Sequence, residues 1–229
     1  MRSPGEELYE QGLWAWEQGL FVFAAECWRR LRDEARRTGD RLGVMRSLNA
    51  LGCVEFELGR FQVAQALWRR AGALMETEPS CDPRFRVKVM TNLALAAYVT
   101  GRLEEALAYL QAARGWCGDL EPFWVIQVEH CASTIWMALE QWDEAEAAAR
   151  RALELLAGQE GNPRAAYLQI NLGQICLEQG DLVGAGAYLE AARDLLERLG
   201  PDPNLGYAYG ALGRLYYLLG DLDRAIAYG

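Results

Sequence analysis

A glycine turn recurs along this chain at nearly constant spacing, and no other feature restricts its fold as strongly. The segments EQGLFVFAAECW, ELGRFQVAQALW, VTGRLEEALAYL, EQGDLVGAGAYL and LLGDLDRAIAYG centre on Gly19, Gly59, Gly101, Gly180 and Gly220. A sixth, LEQWDEAEAAA, places Glu140 where the glycine should be. The anchors 19, 59, 101, 140, 180 and 220 are separated by 40, 42, 39, 40 and 40 residues. A period that regular marks stacked copies of one supersecondary unit.

Each copy has the same internal logic. Apolar residues at helical spacing lead into the turn, and the glycine can take the left-handed conformation that ends a helix. Five residues later comes an alanine: Ala24, Ala64, Ala106, Ala145, Ala185 or Ala225. A methyl side chain there lets two helices approach closely. Four residues beyond it, on the same helix face, stands a bulky residue such as Trp28, Trp68, Leu110 or Leu189. Between copies, Asn162-Pro163, Asp82-Pro83 and Asp202-Pro203 read as N-cap then proline at the first helical position, and Gly39-Asp40 as a stop then a cap. The segment from Gly118 to Phe123 opens the fourth copy. The chain of 229 residues is 52% apolar with 7 prolines, and Ala, Leu, Glu and Arg dominate, which agrees with an all-α protein.

The units resemble tetratricopeptide repeats, whose pattern is W-x2-L-G-x2-Y followed by A-x3-F. YGALGRLY supplies Tyr209, Leu212, Gly213 and Tyr216; LNALGCVE supplies Leu48, Leu51 and Gly52 with Glu55 in the aromatic slot. QINLGQIC gives Gln169, Leu172, Gly173 and Cys176, and MTNLALAA keeps Met90 and Leu93 with Ala94 for the glycine. Ala64-x3-Trp68 matches the second half. The family's minimal unit is about 34 residues, so a 40-residue period lengthens each helix by about one turn. The resemblance implies an all-α, right-handed superhelical array of six helix-turn-helix repeats in one domain over 1–229. The repeats span about 5–39, 40–80, 81–118, 119–160, 161–200 and 201–229, the last incomplete.

In such arrays the first helix of each pair lines the concave face. The Leu-Gly pair and the aromatic slot turn toward the second helix, so slots 2, 5, 9 and 12 share the other face, flanked by slot 6. That strip runs through Tyr9, Leu13 and Trp16; Arg46, Asn49, Cys53 and Phe56; Lys88, Asn92, Leu95 and Tyr98. It continues through Gln127, His130, Thr134 and Met137; Tyr167, Asn171, Gln174 and Leu177; Tyr207, Arg214 and Tyr217. Aromatics supply rigid apolar area, and asparagine can donate to and accept from a peptide backbone. Asn92 and Asn171 occupy equivalent slots, resembling the family's peptide-clamping asparagines, while Arg46, Lys88 and Arg214 can receive a carboxylate. The full carboxylate-clamp pattern of chaperone-binding members is absent. The competing reading is structural: an asparagine here can bridge neighbouring helices, and Phe56, Tyr98 and Tyr217 can be packing residues. Trp28, Trp68, Trp136 and Trp142 fall in packing slots.

Other function classes are disfavoured. With 23 basic and 32 acidic residues the net charge is −9, which opposes nucleic-acid binding. The doublets Arg29-Arg30, Arg69-Arg70 and Arg150-Arg151 read as solvated faces, and Lys88 as the only lysine points to a GC-rich genome. Cys27, Cys53, Cys81, Cys117, Cys131 and Cys176 show no metal-ligand spacing, and His130 is the only histidine, with no nucleophile spaced to work with it. Phosphate loops and catalytic triads are likewise missing, so no cofactor, no metal and no enzymatic activity are expected. MRSPGEELYEQ lacks an apolar signal region, and no apolar run reaches membrane-spanning length. A cytoplasmic setting is therefore expected, with no membrane partner.

The expected function is a non-catalytic scaffold that binds a peptide or partner protein in the concave groove. The alternative is a regulatory or sensory module that binds a peptide signal and controls an effector, as part of a longer regulator. The final DLDRAIAYG supplies about two helical turns, which should leave Leu222, Ile226 and the Tyr216-Tyr217 pair incompletely covered. Truncation of a longer chain, or homo-oligomer formation through this incomplete repeat, would account for that.

Overall fold

The structure, a computed structural model, describes residues 4–229, and among these it contains twelve α-helices and no strand. The helices come in pairs: α1 (Pro4–Glu17) with α2 (Phe21–Thr38), α3 (Arg41–Glu57) with α4 (Phe61–Glu76), and α5 (Pro83–Val99) with α6 (Leu103–Gly115). Then follow α7 (Pro122–Ala138) with α8 (Trp142–Leu155), α9 (Pro163–Gln179) with α10 (Leu182–Leu199), and α11 (Asn204–Leu218) with α12 (Leu222–Tyr228). They form two compact units, one ending at Leu120 and one starting at Glu121, with three pairs in each. No helix among the described residues is long and apolar enough to cross a membrane.

The turns within pairs fall on the six anchors. Gly19, Gly59, Gly101, Gly180 and Gly220 have φ between 71° and 81°. Glu140 is the only non-glycine with positive φ among the described residues, at 58°. In every turn the next residue's N–H reaches back to close the helix end: Leu20 to Ala15 O, Arg60 to Glu55 O, Arg102 to Ala97 O, Gln141 to Trp136 O, Asp181 to Cys176 O and Asp221 to Tyr216 O, at 2.8–2.9 Å. This six-to-one bond is the Schellman closure, which needs a left-handed residue at its corner. Glutamate holds that conformation at a cost of about 1 kcal/mol relative to glycine.

The caps between pairs also form. Asp40, Asp82 and Asn162 accept from the backbone N–H of Gly43, Arg84 and Arg164 at 2.9, 2.8 and 3.0 Å. Asp202 likewise accepts from Asn204 N–H at 2.7 Å, and Pro203 has the helical backbone angles of a first helical position, although α11 is bounded from Asn204.

The core of the first five pairs rests on a size match across sixteen residues. Gly12 lies under Trp28, Gly52 under Trp68 and Gly173 under Leu189; a Cβ on these glycines would meet those side chains at 2.2, 2.3 and 2.5 Å. Where the first position enlarges, the second shrinks: Ala94 corresponds to Leu110, and Ser133 to Ala149, all buried. Burying one large side chain contributes roughly 2–3 kcal/mol. The alanines Ala24, Ala64, Ala106, Ala145 and Ala185 are fully buried, and Ala225 packs against the Leu189–Leu212–Leu215 cluster. Trp136 and Trp142 are only half-buried, unlike Trp28 and Trp68. At the end of the chain Leu222 and Ile226 are 58% and 78% exposed, whereas Tyr216 is buried, with Tyr228 stacked on it at 5.6 Å.

Candidate functional site

In the unit ending at Leu120, α3 and α5 carry the strip. Asn49 is buried, and its two acceptors serve different neighbours: the backbone carbonyl takes the Trp68 indole N–H at 3.0 Å, and Oδ1 takes Nδ2 of Asn92 at 3.0 Å. Nδ2 of Asn92 also lies 3.7 Å from Cys53 Sγ. Burial pushes the Cys53 thiol up to about 11, so it stays protonated and unreactive at neutral pH. Phe56 packs on Phe61 and Trp68 at 5.0 and 5.8 Å, and Trp16 repeats the arrangement on Phe21 and Trp28 at 5.2 and 6.1 Å. Tyr98 is half-buried. The strip's accessible cations are Arg46 and Lys88, both exposed and without an ion-pair partner among the described residues. A cleft of about 650 Å³ opens beside Arg46, lined also by Tyr9, Glu6, Glu10 and Asp40.

In the unit starting at Glu121, α7, α9 and α11 carry the strip. Nδ2 of Asn171 reaches Ser133 Oγ and Thr134 Oγ1 at 3.4 and 3.3 Å. Asn92 and Asn171 thus perform one task, tying consecutive first helices together. Each retains a carbonyl oxygen free of any such bond among the described residues. His130 stacks on Tyr167 at 6.1 Å, and burial followed by the nearby Arg164 guanidinium lowers its pKa to about 4. It is a neutral imidazole at pH 7, one donor and one acceptor rather than a charge. Tyr167 donates its hydroxyl to Asp202 at 2.6 Å, and Arg164 is directed at Gln127. Gln174 is half-buried, Arg214 pairs with Glu178 at 2.5 Å, and Tyr217 is 67% exposed.

The strip therefore comes out as two kinds of residue. Asn49, Phe56 and Trp16 serve mainly the interior, Arg46, Lys88 and Tyr217 are exposed, and Asn92, His130, Tyr167, Asn171 and Gln174 are half-buried. The basic doublets are exposed, and Arg69, Arg150 and Arg151 are engaged by Glu105, Glu146 and Glu129. Sequence reasoning missed the acidic wall of the Arg46 cleft, because Glu6 and Asp40 approach it from another helix and a cap. It also missed the uneven charge. Residues 1–120 hold 16 basic and 16 acidic side chains, whereas residues 121–229 hold 7 and 16, so the whole net charge of −9 belongs to the second unit. Counting by halves would have found it.

Two tetratricopeptide repeat family models match the chain, over residues 49–118 and 164–229. The chain belongs to the tetratricopeptide repeat family. Solved structures share its fold. BtubC from P. vanneervenii is 24% identical, with 89% of this chain and 86% of that one covered and a TM-score of 0.75. The signal transduction ATPase with numerous domains from Pyrococcus horikoshii, which has a tetratricopeptide repeat sensor, is 19% identical with a TM-score of 0.74; 99% of this chain aligns with 34% of that one. The Rap conjugation gene regulator of plasmid pLS20, solved with the Phr* peptide, is 18% identical with a TM-score of 0.68, covering 85% of this chain and 53% of that one. No curated protein sequence matches the chain. Repeats of this family generally mediate protein–protein interaction, and proteins built from them are typically non-catalytic scaffolds.

Proposed function

We propose that the chain is a non-catalytic binding module that holds a partner's extended peptide segment against the inner faces of its first helices. The observation that carries this reading is the pair Arg46 and Lys88. They occupy the same slot in successive first helices, are exposed, and have no ion-pair partner among the described residues, although their unit holds as many acidic as basic side chains, 16 of each. Beside them Asn92 keeps a carbonyl oxygen to accept a peptide N–H. An acidic side chain or terminal carboxylate fits this arrangement.

Binding of a labelled acidic peptide to the full chain tests it. Arg46→Glu with Lys88→Glu should weaken binding at least about tenfold, the scale for losing charge-assisted contacts. Equal affinity of the double variant and the wild type would reject the reading. These side chains are exposed, so the variants retain the core, which Asn92→Ala does not guarantee.

A second reading, a sensory module within a longer regulator, draws support from the likeness to a peptide-bound regulator and to a protein with a tetratricopeptide repeat sensor, of which this chain spans 53% and 34%. Under it, binding of the peptide changes the spacing of the helix pairs and so signals to an effector. Amide exchange across all twelve helices with and without the peptide separates the two: protection confined to α3 and α5 favours the scaffold.

A further inference from the structure

Gly210 has no packing reason to be a glycine, a property it shares with Gly206 in the first turn of the same helix. Gly12, Gly52 and Gly173 each sit under a large side chain. Gly210 lies in the interior of α11, is exposed, and a Cβ added there would meet nothing within 4 Å. A glycine inside a helix weakens it relative to alanine, so Gly210 lowers the stability of α11 without any internal contact in return. What it provides is open backbone on the helix face.

That face continues the strip and meets α9 through the Arg214–Glu178 pair. Tyr207, Gly210, Arg214 and Tyr217 are spaced by three, four and three residues and so share one side of α11. Tyr207 and Tyr217 are 65% and 67% exposed. The hydroxyls of Tyr167, Tyr209 and Tyr216 are engaged by Asp202, Glu197 and Glu190. Those of Tyr207 and Tyr217 have no partner among the described residues. Two rigid aromatic rings thus flank a stretch that has no side chain at Gly210 and carries the Glu178-paired Arg214 beside it.

Charge selects the occupant. The unit holding α11 carries 7 basic and 16 acidic side chains. Arg214, the strip's cation on this helix, is neutralised by Glu178 at 2.5 Å. Tyrosine faces attract guanidinium and ammonium groups through the ring quadrupole, and the acidic excess of this unit favours the approach of cations.

We propose that this face of α11 docks an extended peptide segment bearing arginine or lysine side chains. The segment's backbone lies close over Gly210, and its cationic side chains cross the rings of Tyr207 and Tyr217. This rests on the reading that inner helix faces bind peptide, but it assigns a second site of opposite charge preference to the one at Arg46 and Lys88.

The test uses the full chain and two fluorescein-labelled peptides, (Gly-Arg)3 and (Gly-Glu)3, followed by fluorescence anisotropy at near-physiological salt. Tyr207→Ala with Tyr217→Ala, and separately Gly210→Leu, should each weaken the arginine peptide about tenfold, the scale of two cation–π contacts. Arg46→Glu with Lys88→Glu should leave that peptide's affinity unchanged or slightly raised. Gly210→Ala should raise the thermal midpoint and yet weaken the arginine peptide, a combination that a purely structural glycine would not give. Arginine-peptide affinity indifferent to the tyrosine and Gly210 variants would overturn the site and leave only diffuse attraction to an acidic surface. Competition of the glutamate peptide for the same tyrosines would overturn the charge preference. Failure of the glutamate peptide to depend on Arg46 and Lys88 would instead strike the broader reading and leave the α11 result standing.

Discussion

Asn92 and Asn49, 43 residues apart, are joined by a side-chain hydrogen bond of 3.0 Å, and the carbonyl of that same Asn49 receives the Trp68 indole. One buried residue therefore links the inner strip to the core of its own helix pair. A ligand that draws on Asn92 acts on a side chain already anchored, which lowers the ordering cost of binding.

The bond has a measurable worth. A double-mutant cycle of Asn49→Ala and Asn92→Ala in urea should return a coupling of about 1 kcal/mol, the usual net value of such a bond. Asn49→Ala alone should cost more than a surface substitution, because it leaves the Asn92 amide half-buried with only Cys53 beside it. Strict additivity of the two would show that the bond contributes nothing in solution.

Gly52→Ala should destabilise the protein by about 1–3 kcal/mol through overpacking. The added methyl would stand 2.3 Å from Trp68 Nε1 and force the indole off its acceptor. Denaturant midpoints report the cost, and Trp68 fluorescence the displacement. A midpoint unchanged from wild type would contradict the size match described for the core.

Glu140 sits at φ 58° where its five counterparts are glycine. Glu140→Gly should therefore stabilise the chain by roughly 0.5–1 kcal/mol, by relieving the left-handed strain in a turn whose closing bond is already formed. Thermal unfolding checks it; a fall in the midpoint would mean the glutamate side chain itself supports the turn.

The single histidine makes a pH prediction. Its folded pKa of about 4 lies below its ordinary value of 6.5. The unfolded chain therefore binds the proton more readily between these values. His130's contribution to stability is fully present above about pH 6.5 and is lost as pH falls through 6.5 toward 4, up to roughly 3 kcal/mol. Urea midpoints at pH 7 and pH 4.5 for the wild type and His130→Phe should show a smaller loss in the variant. The imidazole carbon shifts should move only near pH 4.

The fold was legible because each unit announces itself with local chemistry. One left-handed residue per period, an alanine five residues on, and Asp or Asn before proline depend on no distant neighbour, and even the degenerate Glu140 copy keeps the turn. The strip was less legible because its fate depends on what stands across from it. Phe56 turns to the core because Phe61 and Trp68 receive it. Arg214 is neutralised by Glu178, 36 residues away on the preceding first helix. Asn92 and Asn171 tie helices together because successive first helices come close enough for an amide to reach, which is set by the small residues buried behind them. Gly210 was visible as a letter, yet only the empty space around it separates it from Gly52 and Gly173.

Side-chain bonds between helix pairs, such as Asn92 to Asn49 and Arg214 to Glu178, span 43 and 36 residues, close to one period. Loop closure on that scale is inexpensive in entropy and brief in time. Such a chain can assemble from several starting points at once, and a lesion in one pair is felt by the pairs on either side before it is felt anywhere else. Heat or force then acts on it piecewise, fraying short stretches while the others stay closed.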